Sequence, residues 1–217
     1  MDVSDFFPIW DDLTKEEQRQ LMENAREKQV SPGLLPQQKN ECEGLILLQT
    51  GQLRTYIMSP DGKEVTLYRL LPGDICLFSA ACMLQEIRFD ILIEAEKDST
   101  YHVIPAHQFK QMMEQSVTIA NYTNGLLSTR FSEVMWLLEQ IMWQSMDKRL
   151  ATFLVEESQL EASTTLHLTH EKIASHLGTA REVVTRMLKY FQREGWISLN
   201  RGEILIRNFD ALAHLAS

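Results

Sequence analysis

The chain has little of what builds a secreted or membrane-spanning protein. Its three cysteines are an odd and low number, which argues against a framework of disulfides. No clean apolar run, such as the one at residues 45–48, approaches the roughly 20 residues that cross a bilayer. Residues 1–5 lack the basic stretch and the apolar stretch of a signal peptide. We therefore expect a cytoplasmic protein with no membrane segment.

The chain also lacks the positive charge typical of nucleic-acid-binding proteins, because its net charge is −9. This acidity is confined to the first two-thirds. Residues 1–145 hold 12 Lys and Arg against 21 Asp and Glu, whereas residues 146–217 hold 9 of each. The last third also holds 4 of the 6 histidines. The composition therefore allows a local basic face in the C-terminal third.

The chain has 217 residues, of which 44% are apolar and 24% charged, as expected for a globular protein of one or two domains. Its first 35 residues favour helix, with Thr14 and Glu17 spaced as a capping box and Pro32-Gly33 ending the segment.

Between about residues 44 and 105, turns at Gly51, Gly62 and Gly73 separate short apolar segments at 45–48, 53–58, 65–71 and 89–95. Such regular spacing predicts a small antiparallel barrel or sandwich.

A helical period replaces this pattern between about residues 106 and 146. Nine mostly apolar positions follow one another at alternating intervals of three and four residues, which is a heptad pattern: Val117, Ala120, Asn124, Leu127, Phe131, Val134, Leu138, Ile141 and Ser145. A long core helix packed on its own sheet would show part of this pattern. We favour a dimer helix because the heptad is long and because Leu137 and Met142 are placed to serve the intramolecular face. The predicted dimer contacts are Leu127, Phe131, Val134, Leu138 and Ile141.

The C-terminal third carries the most specific motif, a helix-turn-helix. Thr169 can cap a short helix with Ile173, Ala174 and Leu177 on its inner face, and Gly178 stands where a left-handed cap favours glycine. A second helix then restarts at Thr179, with Glu182 three residues on. Two strands flanking residues 200–202 follow and predict a β-hairpin in the position of a wing.

The second helix of this motif divides into an apolar and a charged face. At 100° per residue, Val184, Met187, Leu188 and Phe191 share one side, and Glu182, Arg186, Lys189 and Arg193 lie opposite. Arginine can donate twice to guanine and glutamate can accept from cytosine, so we predict base contacts from Arg181, Glu182 and Arg186. We predict phosphate contacts from Thr169, His170, Thr179, Lys189 and Arg201. A capping box formed by Thr179 and Glu182 would account for the presence of a glutamate at position 182 without any contact to DNA.

Residues 168–197, with Arg181, Glu182 and Arg186, resemble the DNA-binding domain of the CRP/FNR family of bacterial transcription regulators. The order of elements resembles that family over nearly the whole chain. The resemblance implies an α+β fold with an effector-sensing antiparallel β-roll (cyclic-nucleotide-binding-like) at residues 1–115. A long dimerisation helix would occupy residues 116–146, and a C-terminal winged helix-turn-helix that binds DNA would occupy residues 147–217.

The resemblance also implies how such a protein works. It implies a sequence-specific homodimer controlled by an effector or redox signal in the β-roll, with RNA polymerase as a candidate partner. Arg181, Glu182 and Arg186 match the base-reading residues of the cyclic-AMP receptor branch, which implies double-stranded DNA with inverted half-sites similar to the TGTGA type.

The effector is left open by the sequence. Cyclic-nucleotide members of the family carry a Gly-Glu-Leu turn and an Arg-Ser-Ala step, whereas this chain has Gly73-Asp74-Ile75 and a distant Arg88 followed by Phe89-Asp90. No cysteine precedes Cys42, which argues against the iron–sulfur cluster of the oxygen-sensing branch, and the flanking glutamates disfavour a Cys42 thiolate. Cys76 and Cys82 leave a redox pair or a haem site open. The candidate pocket comprises Gly73, Asp74, Cys76, Cys82 and Arg88, and no cofactor is assigned.

No catalytic or metal site is predicted. The chain has no phosphate-binding GxxxxGK[ST] loop, no GxSxG and no HExxH, so we do not expect an enzyme. His170 and His176 lie about 240° apart on a helix and cannot share a metal there. The competing class is a cyclic-nucleotide-binding regulatory module that acts through protein contacts, and such a module does not need the Arg/Glu/Arg face or the wing. A regulator that no longer senses an effector is a third alternative.

Overall fold

The computed structural model describes residues 3–5, 7–35, 44–76 and 91–217. The chain divides into two compact units. We call Met1–Met58 with Leu67–Val134 the N-terminal unit, and Ser59–Thr66 with Met135–Ser217 the C-terminal unit. Cys42, Cys82 and Arg88, which the sequence singled out, lie outside the described residues.

The N-terminal unit begins with two short 3-10 turns, Val3–Asp5 and Trp10–Asp12, and helix α1, Lys15–Asn24. The predicted capping box is confirmed: the Glu17 backbone N–H donates to the Thr14 hydroxyl at 3.3 Å, and the Thr14 backbone N–H donates to the Glu17 carboxylate at 2.6 Å. The prediction of helix up to Pro32-Gly33 was wrong. Strand β1, Arg26–Val30, follows α1 and pairs with a strand near residue 100. This tertiary pairing outweighs the helix propensity of its Arg, Glu, Lys and Gln residues.

The β-roll consists of β1 and the following strands: β2 Gly33–Leu34, β3 Leu45–Thr50, β4 Leu53–Met58, β5 Glu64–Leu70, β6 Ile75–Cys76, β7 Ile91–Ala95 and β8 Ser99–Ile104. They form two four-stranded sheets in the orders β1-β8-β3-β6 and β2-β7-β4-β5. The predicted segments at 45–48, 53–58 and 65–71 correspond to β3, β4 and β5. The described part of the predicted segment at 89–95 is β7.

Strand β3 explains the unusual run of four apolar residues, because both of its faces are buried. Leu45 and Leu47 join a cluster with α1 and the helices that follow the roll. Ile46 and Leu48 join a second cluster between the two sheets. The run is therefore the shared wall of two hydrophobic cores.

Helix α2, Ala106–Gln115, and helix α3, Val117–Trp143, follow the roll. With 27 residues α3 is about 40 Å long, and it contributes to both units. Ile119 and, in part, Tyr122, Leu126 and Leu127 pack into the helix-side core of the N-terminal unit.

The C-terminal unit continues with α4 Met146–Leu160, β9 Thr165–Leu166, α5 His170–Leu177, α6 Arg181–Arg193, β10 Ile197–Asn200, β11 Glu203–Ile206 and α7 Phe209–Ala216. Its sheet has the order β10-β11-β9. One buried cluster joins α4, α5, α6, the sheet and α7. The α+β architecture, with a β-roll, a long helix and a winged helix-turn-helix, is as the sequence predicts.

Candidate nucleic-acid interface

Helix α5 is held at both ends by the residues that the sequence indicates. The Lys172 backbone N–H donates to the Thr169 hydroxyl at 3.1 Å. At the other end Gly178 adopts a left-handed conformation with φ 64° and ψ 38°, which glycine reaches without steric cost. The Arg149 guanidinium on α4 donates to the Leu177 carbonyl at 2.6 Å. Helix α5 is therefore fixed against the rest of the C-terminal unit.

Helix α6 begins two residues later than the sequence predicts. Its N-cap is Ala180, no side chain caps it, and the predicted capping box of Thr179 with Glu182 is wrong. The reason lies in the turn: the Thr179 backbone N–H donates to the Ala174 carbonyl at 3.1 Å and so still closes α5. The Ala180 carbonyl is the first to accept from α6, from Val183 at 3.0 Å. Glu182 therefore does not cap α6, and capping does not explain why a glutamate stands at this position.

The two faces of α6 lie as the helical period predicts. Val184, Leu188 and Phe191 are buried in the core of the C-terminal unit. Arg181, Glu182, Arg186 and Lys189 are exposed. They line an open depression of about 730 Å³ together with Thr185, Met187, Tyr190 and Arg193.

Arg193 differs from the other cations of this face. Its guanidinium lies 5.5 Å from the centre of the Tyr190 ring and 3.8 Å from the Glu194 carboxylate. The cations nearer the start of α6 are therefore the better candidates for base contacts, since a helix in a major groove reads bases with its N-terminal residues.

A hydrogen-bonded chain joins α5 to α6 beneath the exposed face. The Thr185 hydroxyl donates to the Arg181 carbonyl at 2.9 Å, and the His170 Nδ1 lies 2.9 Å from the same hydroxyl. Burial lowers the pKa of His170 below its ordinary value of 6.5, and the positive charges of Arg181 and Lys189 lower it further. Three residues that the sequence assigned separately to DNA contacts are thus electrostatically coupled.

The wing is a hairpin of β10 and β11, with Ile197 paired to Ile206 and Asn200 to Glu203. Arg201 is exposed in its turn, and Gly202 beside it has φ 77°. The sequence analysis missed β9, which adds a third strand through pairs of Leu166 with Ile204 and Thr165 with Leu205. It also missed α7, which Asn208 caps by accepting from the Ala211 backbone N–H at 3.0 Å. An Asn before an apolar segment is a usable sequence signal for such a helix.

Helix α3 carries a long exposed apolar face. It includes three of the five predicted dimer contacts, with Phe131 68%, Leu138 44% and Ile141 41% exposed. Leu127 and Val134 are half-buried. Met142, which we expected on the intramolecular face, is 59% exposed. Val117, another position of the predicted heptad, is exposed as well, and so are Met135, Trp136 and Trp143 outside the heptad.

Arg130 is a residue of α3 that the sequence analysis missed. Arg130 is only 9% exposed. Its guanidinium lies over the Tyr68 ring on β5, 4.3 Å from the ring centre. It also donates to the Ile75 carbonyl on β6 at 3.3 Å and pairs with Glu133 at 2.7 Å. This residue therefore ties α3 to the β-roll at the candidate effector pocket.

The described part of the candidate effector pocket lies around β6. The Leu71 backbone N–H donates to the Asp74 carboxylate at 2.8 Å, so this side chain stabilises its own turn. Cys76 is buried, and its Sγ lies 3.4 Å from the Tyr68 hydroxyl. Burial and the neighbouring Cys76 raise the pKa of Tyr68 well above its ordinary value of 10.0. Gly73 has φ 95°, which suits its turn.

Two features are absent from the ranges that the structure describes. No group of three or more His, Cys, Asp or Glu side chains is arranged to hold a metal ion. No helix among these residues combines the length and the apolar character needed to span a membrane.

Comparisons with known proteins agree with the two-unit architecture. Residues 33–116 match the cyclic nucleotide-binding domain, and residues 148–215 match the Crp-like helix-turn-helix domain. The chain is 24% identical over 174 residues to the cyclic AMP receptor protein of Thermus thermophilus, covering 80% of each protein. It is 25% identical over 184 residues to the fumarate and nitrate reduction regulatory protein of Yersinia pestis, covering 82% of this chain and 72% of that protein.

A solved structure of a CRP/FNR-family protein from Eubacterium rectale is 49% identical to this chain. The match has a TM-score of 0.94 and covers 98% of this chain and 99% of the other. A domain of the cyclic nucleotide-binding type joined to a Crp-like helix-turn-helix defines a DNA-binding transcription regulator. This chain belongs to the CRP/FNR family of transcription regulators.

Proposed function

We propose that this regulator acts as a homodimer that binds inverted half-sites, under the control of a signal received in the β-roll. The observation that carries the proposal is the orientation of α6. Its apolar face is locked into the core of the C-terminal unit, and Arg181, Glu182 and Arg186 face solvent from its first two turns. This arrangement suits insertion into a major groove.

The side chains divide by the chemistry that DNA offers. Arg181 and Arg186 can each donate twice to a guanine, and Glu182 can accept from a cytosine. Phosphates suit the remaining candidates, which lie farther along α6 or outside it: Lys189 on α6, Thr169 and His170 at the start of α5, Thr179 between the two helices and Arg201 in the wing. The base contacts give specificity and the phosphate contacts give affinity and position.

The second half of the proposal is that α3 pairs with its copy in another chain. Phe131, Leu138 and Met142 follow one another at heptad spacing on its exposed face. Contiguous apolar surface of this kind marks a contact with another protein. To enter successive major grooves, the two α6 helices of such a pair would need to lie about 34–36 Å apart.

Control by a signal is supported by the contact of α3 with the β-roll. Arg130 joins Tyr68 and Ile75 to the helix that would form the dimer. A ligand or redox change near Gly73, Asp74 and Cys76 would therefore act on α3 and reset the spacing of the recognition helices. In this arrangement the sensing domain would end at residue 115, the dimerisation helix would occupy residues 116–146, and the DNA-binding domain would begin at residue 147.

Several finer assignments belong to the same proposal. RNA polymerase is a candidate partner, the cytoplasm is the expected compartment, and no catalytic role is assigned. A module acting through protein contacts alone is the second candidate. It does not explain the Arg181, Glu182 and Arg186 face or the hairpin that carries Arg201.

Selection from a random duplex library tests the proposal. The purified full-length protein should enrich sites with two inverted copies of one short motif. Arg19→Ala is a matched control, since Arg19 is an exposed arginine of α1, and this variant should enrich the same sites. Failure of the protein to enrich any motif, or enrichment of a single unpaired half-site, would overturn the proposal.

A further inference from the structure

We propose that His170 is a proton-dependent contact to a DNA phosphate, so that each chain takes up a proton at this histidine when it binds DNA. The inference rests on the proposed DNA-binding function and adds a pH dependence to it. The ligand chemistry is a phosphodiester, which the first residue of α5 would meet at the edge of the groove that α6 enters.

The hydrogen bonds around Thr185 decide which ring nitrogen holds the proton. A hydroxyl has one proton, and the Thr185 hydroxyl donates it to the Arg181 carbonyl at 2.9 Å. The contact of 2.9 Å to the His170 Nδ1 therefore requires an N–H on that nitrogen, which donates to the hydroxyl oxygen. In the neutral ring Nε2 then carries a lone pair and cannot donate to a phosphate oxygen. It becomes a donor only in the protonated ring.

The charged groups around His170 favour the neutral ring in the free protein. From α6, Arg181 and Lys189 repel the imidazolium. The adjacent charged residues of its own helix, Glu171 and Lys172, have opposite signs. The start of α5 also carries the positive end of the helix dipole. Burial is the largest of the effects that hold the pKa of His170 below 6.5, and the charges of Arg181 and Lys189 add to it.

A phosphate would reverse this balance. It would offset the charges of Arg181 and Lys189 and accept a hydrogen bond from the protonated Nε2, so the pKa of His170 should rise in the complex. Between the pKa of the free protein and the higher pKa of the complex, the bound state holds more protons. DNA affinity should therefore increase as pH falls through that interval. The logarithm of the binding constant should change by at most about one per pH unit for each chain, or about two for a dimer.

The variants His170→Arg and His170→Gln isolate this effect. Binding to a selected duplex and to an unrelated duplex is measured at constant salt from about pH 5.5 to pH 8. In this interval histidine titrates. For the wild type, affinity should fall with rising pH on both duplexes, because a phosphate contact carries no sequence information. His170→Arg should bind tightly without that pH dependence, and His170→Gln should bind weakly without it. Thr185→Ser keeps the hydroxyl and should retain the wild-type slope.

Titration of the His170 ring proton by NMR, with and without DNA, tests the proposal in the unmodified protein. The signal is assigned by its loss in His170→Gln, and its pKa should be higher in the complex. An equal or lower pKa in the complex would overturn the inference, as would a wild-type slope that persists in both substitutions. If the wild type binds no duplex at any pH or salt concentration, the DNA-binding proposal itself fails. Tight, sequence-dependent binding with no His170 contribution overturns only this inference.

Discussion

Two helices of this chain each leave one face outside the hydrophobic cores, and the two faces have opposite chemistry. Helix α6 exposes charged groups such as Arg186 and Lys189, whereas α3 exposes apolar groups such as Phe131, Leu138 and Met142. The opposite face of each helix is packed, by Leu188 in one case and Ile119 in the other. The two faces therefore call for different partners.

The two faces also differ in what their exposure alone indicates. A charged face is stable in water, so the exposure of α6 alone indicates no partner. Each Å² of apolar surface left in water forgoes about 25 cal/mol of the free energy that burial would provide. The exposure of the apolar face of α3 therefore indicates by itself a contact with another protein. The assignment of α6 to DNA rests instead on its position in a winged helix-turn-helix and on the residue types in its first turns.

The largest effect is expected from Leu138→Glu, which puts a charge at the centre of the apolar face of α3. The substitution would bury two carboxylates across the twofold axis, so we expect dimerisation to weaken by more than about 100-fold. Sedimentation should then show a monomer, and affinity for a paired site should fall with it.

Gln111→Glu is the matched control, because it adds the same charge on the exposed surface of α2. It should leave the dimer intact. A Leu138→Glu protein that still sediments as a dimer would contradict the assignment of α3.

A smaller and more selective effect is expected from Arg186→Ala on α6. Loss of a bidentate base contact should cost about 1–3 kcal/mol on the selected site and relax the preference at one base position. The measurement is competition binding with every base at each position of the half-site. Equal weakening on all sequences would make Arg186 a phosphate contact instead.

Lys189→Ala tests whether Lys189, on the same helix, contacts a DNA phosphate. Loss of one phosphate contact per chain should reduce the slope of log affinity against log salt by about 0.9 for each chain, with no change of sequence preference. Titrations at several salt concentrations measure this slope. An unchanged slope would remove Lys189 from the interface.

The smallest effect concerns the start of α6, where Ala180 provides no side-chain cap. Ala180→Ser would supply an oxygen for a backbone N–H of the first turn and should raise the free energy of unfolding by about 1 kcal/mol. Thr169→Ala removes the cap of α5 and should lower it by a similar amount. Chemical unfolding of the full chain compares the two, and a loss of stability in Ala180→Ser would show that the cap geometry is wrong.

Local signals predicted much of the fold and of the candidate site. A cap at Thr169, a left-handed glycine at Gly178 and two helical faces are all set by residues close in sequence. The same holds for the capping box at Thr14. These features could be predicted because each depends on side chains within about one helical turn of each other.

The features that were missed depend on residues far apart in the chain. Strand β1 forms because Arg26 to Val30 find partners in β8, more than 60 positions later, and no local pattern shows this. Arg130 contacts the Ile75 carbonyl, 55 positions earlier. The link between His170 and Thr185 spans two helices. Of the residues predicted for the effector pocket, Cys82 and Arg88 lie outside the described residues.

We propose that two chains read two grooves at a fixed separation. The most direct test is the affinity of the full-length protein for the selected paired site and for the same site with about five base pairs inserted at its centre, half a turn of DNA. We predict two chains per duplex on the original site and a loss of affinity of more than about 100-fold on the insertion, because the two recognition helices then face opposite sides of the duplex. Unchanged affinity, or one chain per duplex, would show that the two chains do not bind as a pair at a fixed separation.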